Sequence, residues 1–186
     1  MSAGNPALSK VNDAGAHHHR PTLCLVRHAK AGSRERWTED DRDRPLTARG
    51  HKQAQLLAEY ILGHVGGPSR ILSSPAVRCR ETLAPLAGES GLGIAEADWL
   101  DEGSPAEEAF DRLRTLTLEL DGASGTGCPV TACTHGDVLW GILDLLVGDG
   151  ADLGESADAP KGGLWVFEFR QKKPPSASFF LPAVGS

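Results

Sequence analysis

Three segments of this 186-residue chain end an apolar run on residues able to hold or attack an anion. Leu23-Cys24-Leu25-Val26 leads into Arg27-His28. Ile71-Leu72-Ser73 leads into Ser74-Pro75 and then Arg78, and Val130-Thr131-Ala132-Cys133 leads into Thr134-His135-Gly136. An arginine fork bonds two phosphate oxygens at once, which a lysine does not. A neutral imidazole can attack phosphorus while guanidinium groups spread the charge of the transition state. Gathered at one point, Arg27, His28, Arg78 and His135 would form a pocket for a tetrahedral dianion. The intermediate would be a phosphohistidine, opened by water. Each residue also has an ordinary use: Arg27-His28 as a solvated pair closing a strand, Arg78 as a helix-surface cation with Arg80 as its competitor, and His135 as a helix cap.

Residues more than a hundred positions apart need a scaffold to meet, and the patterning supplies one. Thr22–Val26 is an uninterrupted apolar run, the mark of a strand buried on both faces. Thr47 caps a helix whose Ala54, Leu57, Ala58 and Ile61 recur at helical spacing, and Gly66-Gly67-Pro68 stops it. Arg70–Ser73 reads as a second strand. Ser74-Pro75 reads as an N-cap and first helical proline, opening a helix to about Ala87. Gly93–Ala95 is a short third strand. Ser104-Pro105-Ala106-Glu107 has the form of a capping box, before a helix ending near Gly122. Pro129–Cys133 is a fourth strand, followed by a helix with Leu139, Ile142, Leu143 and Leu146 on one face. Gly163–Phe169 is a last strand, and the chain after Lys172 reads as a Pro/Ser-rich tail. Strands alternating with helices predict an α/β fold, a three-layer α/β/α sandwich with a largely parallel central sheet. In such sheets ligands collect beyond the carboxyl ends of the strands, where helix N-termini offer free N–H groups.

Composition narrows the partners. The chain has 40% hydrophobic residues, 24% charged residues and a net charge of −6, which suits one soluble domain and no nucleic-acid surface. No apolar run is long enough for a membrane span, and the first twenty residues lack the apolar stretch of a signal peptide, so a cytoplasmic protein with no membrane partner is expected. Residues 1–20 read as a disordered N-terminal tail and 21–186 as the domain. Cys24, Cys79, Cys128 and Cys133 show no metal-binding spacing, even with His17, His18 and His19 nearby, so buried free thiols are expected, with no metal and no cofactor. Trp37, Trp99, Trp140 and Trp165 read as packing residues, and the sequence leaves the oligomeric state open.

The three strand-end segments, in their order and spacing, resemble the signatures of the histidine phosphatase superfamily, which includes the phosphoglycerate mutases and small SixA-like phosphohistidine phosphatases. Leu25-Val26-Arg27-His28 is similar to its first-histidine motif, Ser74-Pro75-Ala76-Val77-Arg78-Cys79-Arg80-Glu81-Thr82 to its SPxxRxxET segment, and Thr134-His135-Gly136 to its second-histidine motif. The likeness covers about residues 21–170. It implies a phosphoglycerate mutase-like fold, His28 as nucleophile, and Arg27, Arg78 and His135 as phosphate ligands. It also implies an acid for the leaving group in Leu100-Asp101-Glu102-Gly103, with Glu102 preferred to Asp101. Ala29 stands where the family commonly has glycine. The mutases' asparagine after the first histidine is absent, as are their long insertions, which disfavours mutase activity.

A closer likeness lies in Arg27-His28-Ala29-Lys30-Ala31-Gly32-Ser33, Asp40-Asp41-Arg42-Asp43-Arg44-Pro45-Leu46 and Pro160-Lys161-Gly162-Gly163-Leu164-Trp165-Val166. These resemble the phosphatase half of two-domain actinobacterial MutT-like Nudix hydrolases, although no Nudix box is present. The implied partner is a phosphorylated small molecule, a nucleotide or a phosphohistidine protein. Lys30, Ser33 and Arg34, just after the nucleophile, and Lys161 are candidate substrate contacts, with a charged loop as the plain alternative. The competing function is a pseudo-phosphatase that binds phosphorylated ligands without turnover.

Overall fold

The strand that leads to His28 lies inside a six-stranded mixed sheet with the order β3-β2-β4-β1-β5-β6. The computed structural model describes residues 20–124, 129–154, 158–170 and 173–184. The expected tail over 1–19, with His17, His18 and His19, and also Cys128, lie outside the described residues. The elements are β1 (Thr22–Arg27), α1 (Ala48–Tyr60), β2 (Arg70–Ser73), α2 (Val77–Ser90), β3 (Ile94–Glu96), α3 (Ala106–Ser124), β4 (Val130–Thr134), α4 (Gly136–Gly148), β5 (Leu164–Arg170) and β6 (Lys173–Phe180). Strands β1 to β4 run parallel; β5 and β6 join antiparallel.

Alternation along each strand divides the core into two layers. Leu23 and Leu25 of β1 face one side, where Phe110 and Leu113 of α3 and Leu139, Ile142 and Leu143 of α4 cover them. Cys24 and Val26 face the other, against Leu57 of α1 and Leu83 and Leu86 of α2. Each large side chain buried in this way contributes about 1.5–3 kcal/mol. The chain therefore leaves β1 toward one face and leaves β4 toward the opposite face. β1 and β4 are adjacent, so a crevice opens between them at their carboxyl ends, the place where open α/β sheets bind ligands.

Local details differ from the sequence expectation at four points. Ser74 does not cap α2: the N-cap is Ala76, and the Ser74 hydroxyl accepts from the Ala76 N–H while also bonding two side chains described below. Tertiary partners outcompete the helix for it. Ser104 likewise donates its hydroxyl to the Asp98 carbonyl. The stretch after Lys172, expected as a Pro/Ser-rich tail, is the edge strand β6. Its prolines fit there because an edge strand is paired on one side only. Phe179 against Trp165 and Phe180 stacked on Tyr60 hold it down. Arg20, within the expected tail, pairs with Glu168 of β5 at 2.8 Å. No described helix is long and apolar enough to cross a membrane.

Candidate active site

Strand register delivers the chemistry. Arg27 lies opposite Thr134, so the next residues, His28 and His135, leave β1 and β4 side by side. The His28 N–H bonds the Thr134 carbonyl at 3.0 Å, and the Ser74 N–H bonds the Cys133 carbonyl at 3.0 Å. The imidazoles of His28 and His135 then meet edge to face, with centroids 5.4 Å apart. Around them opens a cleft of about 990 Å³, lined by all nine candidates from the sequence: Arg27, His28, Arg78, Glu102 and His135, and beyond them Lys30, Ser33, Arg34 and Lys161.

His28 is 5% exposed. Its Nδ1 lies 2.8 Å from the Ala29 carbonyl, which can only accept, so Nδ1 carries the proton and Nε2 is left with a free lone pair. Burial lowers its pKa to about 3, and the charges of Arg78 and Arg27 push the same way against the Ala29 bond. The ring is therefore neutral at physiological pH, the state a nucleophile needs. The Ala29 methyl is buried with Ala31, Leu46 and Ala54, and its N–H bonds the Thr82 hydroxyl at 2.9 Å, so alanine in place of the family's glycine fits its surroundings.

Arg78, in the first turn of α2, is 2% exposed and fully aimed at the site. Nη1 donates to the Asp41 carbonyl at 2.7 Å, while Nη2 reaches Glu102 at 3.0 Å and His135 Nδ1 at 3.3 Å. Arg80, its sequence competitor, is on the surface with Glu96. Arg27 reaches across the N-terminus of α4 to the Ala159 carbonyl at 2.6 Å. The Nε atoms of both arginines are buried without a partner among the described residues. A Cβ on Gly136 would lie 2.8 Å from the Arg27 guanidinium carbon, so glycine is what lets Arg27 lie there.

His135 is oriented by two residues that the sequence offered for other roles, Ser74 as a helix cap and Asp101 as the less favoured acid. Its Nε2 is 2.8 Å from the Ser74 hydroxyl, which donates its own proton to Asp101 at 3.0 Å. Asp101 also lies 3.4 Å from Nε2. Burial works to raise the Asp101 carboxyl, but hydrogen bonds from Ser74 and Arg42 outweigh it and hold it below its ordinary value. Asp101 is thus turned away from the cleft, whereas its neighbour Glu102 lines it. Glu102 is held by Arg34 at 2.6 Å as well as by Arg78.

The stretch from Lys30 to Pro45, illegible in sequence, is organised by Asp41. Its carboxylate bonds Arg34 and buried Arg44, and hydrogen bonds from these two hold it well below the usual carboxylate range. Arg44 in turn donates to the Gly32 carbonyl at 2.8 Å. Alternating Asp and Arg at positions 40–44 was the visible signal, but alternation alone does not say which pairs form. Cys24, Cys79 and Cys133 are buried free thiols. Among the described residues no cluster of His, Cys, Asp or Glu has the form of a metal site.

Residues 23–104 match the family model of the histidine phosphatase superfamily (branch 1). The 8-oxo-(d)GTP phosphatase of Mycolicibacterium smegmatis is 32% identical over 161 residues, covering 87% of this chain and 48% of that protein. The chain thus spans about half the length of this curated relative. Among solved structures, a SixA protein of Agrobacterium tumefaciens, named as a candidate phosphohistidine phosphatase, superposes with a TM-score of 0.63 at 24% identity, covering 87% of this chain and 98% of its own. The protein histidine phosphatase SixA in complex with tungstate gives 0.63 at 19% identity, covering 86% and 94%. These two likenesses concern the fold.

Proposed function

We propose that this chain, whose residues 23–104 match the family model of the histidine phosphatase superfamily, hydrolyses a phosphorylated compound through a phosphohistidine formed on His28. The observation that carries the reading is the neutral, Nε2-free His28 ring set beside Arg27, Arg78 and His135 in one cleft. The phosphoryl oxygens take their hydrogen bonds from the two guanidiniums, and from His135 once its Nδ1 gains a proton and gives up the Arg78 contact. Nε2 of His28 forms a bond to phosphorus as the bond to the leaving oxygen breaks. Glu102, the cleft-facing member of the Asp101-Glu102 pair, is the carboxyl that can give an ester leaving group its proton. Water then attacks phosphorus, releases inorganic phosphate and restores His28.

The substrate is a phosphorylated small molecule, such as a nucleotide, or a phosphohistidine protein. A cytoplasmic setting, with buried reduced thiols at Cys24, Cys79 and Cys133, belongs to the same proposal. The decisive experiment is a rapid quench into alkaline denaturant after mixing with a labelled substrate. A phosphoenzyme that is alkali-stable and acid-labile is expected in the parent protein and absent from His28→Ala. Full activity in that variant, with no trapped intermediate in the parent, would overturn the reading. Tight phosphate binding with no turnover across nucleotides, sugar phosphates and phosphohistidine proteins would favour a pseudo-phosphatase.

A further inference from the structure

The cleft carries far more cation than a single phosphate requires. Seven arginine and lysine side chains line it against three carboxylates, in a chain whose net charge is −6. Four of the seven have stated work: Arg27 and Arg78 at the phosphate position, and Arg34 and Arg44 in ion pairs with Asp41. The other three are Lys30, Arg49 and Lys161. Among the described residues none of them has a carboxylate within ion-pair distance. Glu102 is taken by Arg34 and Arg78, and Asp137 accepts the Gly103 N–H at 2.6 Å.

The backbones that carry Lys30 and Lys161 are tied together, although all three residues are exposed. Gln53, buried in α1, accepts from the Lys30 N–H at 3.0 Å and donates to the Lys161 carbonyl at 3.0 Å, joining two otherwise separate loops. Gly162, at φ +80°, lets its N–H reach the Arg27 and His28 carbonyls, which clamps the Lys161 loop onto the nucleophile's own strand end. The Thr47 N–H and hydroxyl both donate to the Lys30 carbonyl at 2.9 Å. Arg49 follows two residues later, in a first helical turn that has no acidic residue. A cation there opposes the helix dipole. Lys161 has its pKa lowered first by partial burial and then by the charges of Arg27, Arg44, Arg78 and Lys30. Three cations lining one cleft with no carboxylate in ion-pair distance suit an anionic occupant.

We propose that Lys30, Arg49 and Lys161 form a second phosphate subsite, so that the substrate is a phosphoanhydride whose terminal phosphoryl group goes to His28. This rests on the His28 reading above. Three cations match a phosphate dianion better than a carboxylate's single charge. The chemistry also suits Glu102, whose carboxylate is engaged by two arginines. His28 Nε2 bonds the terminal phosphorus, and the anhydride P–O bond breaks with its electron pair on the bridging oxygen. That oxygen leaves on a phosphate with a second pKa of about 6, so it needs no proton at neutral pH. Water then cleaves the N–P bond, giving inorganic phosphate and the shortened monophosphate.

The test compares kcat/KM for ADP and inorganic pyrophosphate with that for AMP and 3-phosphoglycerate, in the parent, Arg49→Met, Lys161→Met and Glu102→Gln. The parent should prefer the diphosphates at least tenfold. Each of the first two substitutions should lower the ADP-to-AMP ratio at least tenfold, and Glu102→Gln should raise it, because the ester alone needs the acid. A phosphoenzyme with equal use of ADP and AMP, equal losses for both in the variants, or a preference for 3-phosphoglycerate would overturn the subsite while leaving His28 intact. No phosphoenzyme with any of the four compounds would overturn the subsite, and none with phosphohistidine proteins either would overturn both readings.

Discussion

The Ser74 hydroxyl stands 2.8 Å from His135 Nε2 and donates to Asp101 at 3.0 Å, so one serine fixes which nitrogen of His135 bears its proton. A hydroxyl has one proton to give, and Asp101 takes it. The histidine must therefore donate from Nε2, which turns Nδ1 toward Arg78.

Breaking this chain at either end should misplace His135. Ser74→Ala and Asp101→Asn are each expected to lower kcat/KM by roughly a hundredfold, the scale of a misplacement of about 1 Å. Because both act through one orientation, the double variant should be little worse than either single one. Steady-state kinetics on the full cycle check this; losses that simply multiply would refute a shared role.

Gly136 should separate activity from stability. An alanine methyl there meets the Arg27 guanidinium at 2.8 Å, so the arginine must leave the cleft floor. Helix propensity meanwhile favours alanine by up to about 1 kcal/mol. Gly136→Ala should therefore keep or raise the melting temperature while cutting kcat/KM by about tenfold or more. A variant with full activity would show that Arg27 does not need its present position.

His28 makes the fold acid-sensitive in a defined window. Its folded pKa, about 3, lies below the ordinary value of 6.5, so the unfolded chain binds the extra proton between the two. Stability from this group is fully present above about pH 6.5 and declines as pH falls toward 3. Between pH 7.5 and 5.5 the parent should lose about 1 kcal/mol more than His28→Gln in urea unfolding. Parallel curves for the two proteins would contradict the buried neutral ring.

Asp41 should matter more than its place in a loop suggests. Removing its carboxylate leaves Arg44, 5% exposed, with the Gly32 carbonyl and no ion partner from this turn. Asp41→Ala is expected to cost about 1–3 kcal/mol, the scale for a buried polar group losing its partner. It should also raise KM through Arg78 and Arg34. Calorimetry and kinetics together check both effects; an unchanged melting temperature would rule out the structural role.

The apolar runs before His28, Ser74 and His135 determined strands buried on both faces, and the helix between each pair determined a largely parallel sheet. Parallel strands align their carboxyl ends, so the meeting of Arg27, His28, Arg78 and His135 followed from local pattern and one topological rule. Strand β6 was hidden because its prolines and serines satisfy an edge, whose pairing on one side leaves little periodicity to read. Only tertiary structure decided the polar partners. Ser74 looks like a helix cap until Asp101 and His135 are beside it, and the string Asp40-Asp41-Arg42-Asp43-Arg44 permits many ion pairs of which folding selects a few. Apolar burial follows a period of two or 3.6 residues and is written in the chain. A hydrogen bond or ion pair depends on distance and direction between groups far apart in sequence, and these exist only once the sheet has formed.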